Sequence, residues 1–128
     1  MASPTLDGAG SAKMQTLDDA LVQLQHLHAI VERLASAVKN AQPTNGFGPQ
    51  IRRTGGPLVG MLKAQFALLS DQVASLILAS TRGNNEQVRV RTLREGIGQL
   101  RQGLEIAVGQ VKNKHAIKDE PKAAPAEG

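Results

Sequence analysis

Residues 57–82, PLVGMLKAQFALLSDQVASLILASTR, are the most apolar stretch of the chain and constrain its fold more than any other feature. Leu58, Leu62, Phe66, Leu69, Val73, Leu76 and Ser80 recur at alternating spacings of four and three, the seam that keeps one stripe of a helix facing a partner. Val59 and Ile77 widen the seam, and Met61, Ala64, Ala67, Leu68, Ala74 and Leu78 lie on the other sides. Only Lys63, Gln65, Ser70, Asp71, Gln72 and Ser75 mark a wet surface. The spacing predicts one long helix over 57–82 that is apolar nearly all round. Such a helix needs cover on more than one face.

The neighbours of this run are amphipathic. Thr16 followed by Asp18 and Asp19 reads as a helix start, with a capping hydroxyl and two carboxylates at the positive end of the dipole. Leu17, Leu21, Leu24, Leu27, Val31, Leu34 and Val38 then predict a one-sided helix over 16–40. Val90, Leu93, Ile97, Leu100, Leu104, Ala107 and Val111 give the cleanest seam, a helix over 85–114. Between the first two helices, AQPTNGFGPQIRRTGG (41–56) is dense in Gly, Pro, Asn and Thr and reads as a long loop. Pro57 suits the first position of the helix after it. Arg82-Gly83-Asn84-Asn85-Glu86-Gln87 supplies a glycine stop and an asparagine start, the signal of a tight helical hairpin. Residues 1–15 and 115–128, small, polar and without periodicity, are expected to be disordered tails around a helical domain at 16–114.

Composition supports this all-α reading. Phe47 and Phe66 are the only aromatics, so the core is aliphatic, which suits packed helices better than sheets. With no cysteine there is no disulfide, thiolate metal site or cysteine nucleophile. Met1 to Gln15 has no apolar core of a secretory signal. Lys63, Gln65, Asp71 and Gln72 would each sit in lipid if 57–82 crossed a bilayer, at about 2.5–3.5 kcal/mol per central charge. A cytoplasmic location is therefore expected.

Catalytic patterns are absent. His26 and His28, two apart on one helix, point to different sides and cannot share a metal by helical geometry, and His115 stands at a helix end. GFGP and GGP lack the lysine and hydroxyl of a phosphate loop. No cofactor, metal or enzymatic activity is expected.

Contact surfaces remain. Gly96, Gly98, Gly103 and Gly109 each cost about 1 kcal/mol against alanine inside a helix. Gly96 and Gly103, seven apart beside the seam, would let another helix approach closely. Phe47 and Ile51, apolar in a polar loop, fold back as a lid or dock into a partner. Leu68 and Leu78 stand off the central seam. These six residues are the expected helix-contact set. The net charge of +4 is modest, but Arg89, Arg91, Arg94 and Arg101 crowd the last helix, where Arg94, Arg101 and Lys112 flank the seam. Flanking charges commonly make inter-helix pairs; joined to Arg52 and Arg53 they would form a surface for nucleic acid or another anionic partner.

The sequence thus predicts an antiparallel three-helix bundle, or a helical hairpin that completes a four-helix core by dimerisation. Its expected function is that of a non-catalytic adaptor or assembly subunit, self-associating or bound to a helical protein. Binding of an anionic polymer is the alternative.

Overall fold

The computed structural model describes residues 7–81 and 85–115. They form four helices: α1 (Gly8–Lys39), α2 (Phe47–Lys63), α3 (Ala67–Ala79) and α4 (Glu86–His115). The all-α expectation holds, while the count of three does not. The extra helix has two origins, because most of the expected 41–56 loop is helical and the expected 57–82 helix is broken near its middle.

Each helix runs antiparallel to its neighbours in a ring. Gln23 of α1 lies opposite Thr54 of α2, Val59 of α2 opposite Ser70 of α3, and Glu32 of α1 opposite Arg94 of α4. Gly96 and Gly103 of α4 face Leu76 and Leu69 of α3. The α1–α4 contact is the most extensive and the α3–α4 contact the thinnest. One core fills the ring: Leu17, Leu24, Leu27, Leu34, Ile51, Leu58, Leu62, Leu93, Leu100 and Leu104 are all essentially inaccessible.

The first helix begins eight residues before Thr16. Asp7 caps it, its carboxylate accepting from the Gly10 amide at 2.6 Å. Buried Gly10 and half-buried Met14 carry the Leu17 spacing back one more turn, so residues 8–15 are helix rather than tail. Thr16 instead donates its hydroxyl to the Ala12 carbonyl in mid-helix at 3.1 Å. At the other end Ala41 takes a φ of 55°, the left-handed turn that lets Gln42 donate to the Ala37 carbonyl at 2.8 Å.

Residues 47–56 fold because the apolar spacing outruns the breakers. Ile51, Gly55, Leu58 and Leu62 follow one another at four, three and four, and all are buried. Pro49 falls in the first turn, where its missing N–H would have no partner anyway. Pro57 lies well inside α2, not at its first position, and removes the donor for the Arg53 carbonyl. Gln23 reaches across from α1 to donate to the neighbouring Thr54 carbonyl at 2.9 Å, bracing this weakened turn. Gly55 allows the close approach of α3, since a Cβ there would stand 2.8 Å from Ile77 Cδ1.

The break between α2 and α3 is small. Ala64 keeps helical dihedrals, and Phe66 leaves them, at φ −136° and ψ 62°. Asn85, which accepts from the Val88 amide at 3.1 Å, starts α4. Arg82, Gly83 and Asn84 of the expected hairpin lie outside the described residues, as do 1–6 and 116–128.

Candidate interaction groove

The glycines of α4 decide the geometry of the α3–α4 face. A Cβ on Gly96 would stand 3.0 Å from Leu76 Cδ1, and one on Gly103 2.7 Å from Leu69 Cδ2. Both therefore serve a close approach of α3 within this chain. Around Gly96 the two helices bound a groove of about 550 Å³. Its apolar lining is Leu68, Leu76 and Ala79, and its rim is Asp71, Gln72, Ser75, Thr92, Glu95 and Gln99. Leu68 is 81% exposed, the most exposed large apolar side chain among the described residues. Leu78, on the outer side of α3, is about half exposed. Asp71 and Glu95 are the only charged residues that line the groove, in a chain of net charge +4.

The other expected contact residues are used within the fold. Ile51 is 1% exposed and belongs to the core, so it presents nothing to a partner. Its burial follows from the helical register of α2, which a loop would not have provided. Phe47 opens α2, half-buried on the core beside Ala37 and Pro43.

The six arginines do not form one surface. Arg94 grips Glu32 of α1 through Nε to Oε2 at 2.8 Å and Nη2 to Oε1 at 2.7 Å. Those hydrogen bonds hold the Glu32 carboxyl below the usual carboxylate range and raise the Arg94 guanidinium. His28 lies between this pair and Arg101, with Nε2 3.6 Å from Glu32 and Nδ1 3.5 Å from Arg101 Nη2. Arg89 is tucked under the end of α3, donating from Nη1 to the Ser80 carbonyl at 3.3 Å, with Nη2 3.8 Å from Glu86. Glu86 in turn accepts the Thr44 hydroxyl. Arg52, Arg53 and Arg91 are exposed, the first two on α2 and the third on α4.

A second hollow of about 720 Å³, between Ser36, Lys39, Gln87 and Val90, is flanked by the Glu32–Arg94 pair and is mainly polar. Among the described residues no three His, Asp or Glu side chains could hold a metal ion together. No described helix is long and apolar enough to cross a membrane.

Sequence reasoning did not find the polar rim of the groove. Asp71 and Gln72 read as ordinary wet positions of their helix, and with Glu95 and Gln99 they become a rim only once α3 is known to run beside α4. The Glu32–Arg94 pair had a signal, in that both residues flank apolar seams of long helices. The chain matches no family model, and no curated protein and no solved structure proves similar to it.

Proposed function

We infer that the chain is a non-catalytic interaction protein that receives an amphipathic helix of another protein in the α3–α4 groove. The observation that carries this reading is the exposure of Leu68 at the mouth of a groove lined by Leu76, Ala79 and Gly96. A helix lays its apolar face into such a groove through anchors one or two turns apart. The rim selects its charge: Asp71 and Glu95, with no lysine or arginine among the lining residues, favour basic residues flanking the apolar stripe. The arginine-rich alternative draws less support, because Arg89 and Arg94 already hold acidic partners inside the fold.

The test is titration of isotope-labelled protein with an amphipathic Leu/Lys peptide of about four helical turns. Amide shifts are expected at Leu68, Gln72, Ala79, Gly96 and Gln99. Leu68→Glu weakens binding by about tenfold or more while leaving the helical content unchanged. Shifts centred on Arg52, Arg53 and Arg91, or equal binding by the Leu68→Glu protein, would overturn the groove.

A further inference from the structure

We propose that the α2–α3 turn is a hinge, and that the chain forms a dimer with a second copy of itself by straightening α2 and α3 into one helix and exchanging the α3–α4 half. This does not rest on the groove reading above, since every contact it uses already exists inside the monomer.

Three observations converge on the turn. First, the departure from helix is confined to residues 64–66. The Phe66 amide still donates to the Leu62 carbonyl at 2.7 Å, and the Ser70 amide to the Phe66 carbonyl at 3.0 Å, both bonds one helical turn in length. Ala64 keeps helical dihedrals, whereas those of Phe66 leave helical values. Returning them would give the amides of Ala67, Leu68 and Leu69 the carbonyls of Lys63, Ala64 and Gln65. Second, Lys63-Ala64-Gln65-Phe66 contains no glycine, proline or asparagine, and nothing in it resists helix. The α3 start also has no side-chain cap, so straightening forfeits none.

Third, the faces agree. Leu62, the last core residue of α2, and Leu69, the first of α3, are seven apart, two turns of helix, so both halves of a straight helix present their core stripe on the same side. In the hairpin, facing residues such as Val59 and Ser70, or Gly55 and Val73, lie roughly equidistant from Gln65. Two straight helices crossing antiparallel near Gln65 therefore reproduce those pairs about a twofold axis. The α1–α2 half of each copy then closes on the α3–α4 half of the other, rebuilding the four-helix ring twice. The α1–α4 and α2–α3 contacts become identical intermolecular ones while the α1–α2 and α3–α4 contacts stay within each chain, the economy on which domain swapping depends.

The experiment compares two turn variants with the wild type. Each protein is unfolded and refolded at low and at high concentration, and its mass is read by light scattering. The wild type is expected to yield a dimer fraction that rises with refolding concentration. Ala67→Pro suits the hairpin, where position 67 is the first of α3. In a straight helix the same proline would strike the Lys63 carbonyl and remove an N–H, lowering the dimer fraction more than tenfold. Two glycines inserted between Gln65 and Phe66 break both the helix and its phase, and should act the same way if the proline variant folds poorly. A wild type that stays monomeric after refolding at every concentration overturns the hinge. So does either folded variant dimerising as the wild type does, because the dimer would then use an outer surface.

Discussion

Glu32 shows what a single charged contact contributes here. In the unfolded chain a glutamate ionises near 4.3. In the fold the Arg94 guanidinium, bonded to both of its oxygens, lowers that value. A depressed carboxylate lends stability above its unfolded pKa and loses it as pH falls through the folded one. The contribution is therefore present at neutral pH and disappears in acid, below about pH 4. Both side chains remain near half exposed, so water and salt keep the effect small. We expect the stability of Glu32→Gln to fall less steeply than that of the wild type between about pH 5 and pH 3, with the two curves converging in acid. The measurement is urea unfolding across that range; parallel curves would show that the pair adds nothing.

At the scale of elements, glycine separates positions that need close approach from positions that do not. Gly98 meets nothing within 4 Å of an added Cβ, so Gly98→Ala should raise stability by about 1 kcal/mol from helix propensity alone. At Gly55 the same methyl would come within 2.8 and 2.9 Å of the Ile77 side chain. Overpacking of that kind costs about 1–3 kcal/mol, which outweighs the propensity gain. We expect Gly55→Ala to lower the urea midpoint and Gly98→Ala to raise it, at unchanged slope. Equal gains at both sites would mean that α2 and α3 stand further apart. The same local chemistry explains what was legible in the sequence. The seams of α1 and α4 are long and uninterrupted, and their central registers follow directly from Leu24 to Leu34 and from Val90 to Val111. The start of α2 was hidden because Gly48, Pro49, Gly55, Gly56 and Pro57 outweighed Phe47 and Ile51, the two large apolar residues before Leu58. The α2–α3 turn was hidden for the opposite reason: it carries no breaker, and its apolar phase is continuous. Of the candidate site, exposed Leu68 was legible as an apolar residue off the seam, whereas the α4 glycines pointed to a close helix contact without revealing that α3 supplies it.

The whole molecule depends on where the fourth wall of the core comes from. Three helices of this composition would leave an apolar strip that only another chain could cover. Residues 47–63 remove that need, since Ile51 and Leu58 of α2 close the ring between α1 and α3 within a single chain. Two consequences separate this arrangement from a core completed by dimerisation. A core shared between chains unfolds at a midpoint that shifts with concentration, because dilution favours the unfolded monomers. Here the thermal midpoint of the isolated monomer should stay unchanged when protein at low micromolar concentration is diluted tenfold. Ile51→Ala should at the same time cost about 2–4 kcal/mol, the value for a large aliphatic residue lost from a close-packed interior, whereas a side chain resting on a mobile loop would cost a fraction of that. Calorimetry over the dilution series, together with urea unfolding of the variant, reads both quantities. A midpoint that falls on dilution, or an Ile51→Ala protein as stable as the wild type, would place the fourth wall outside the chain.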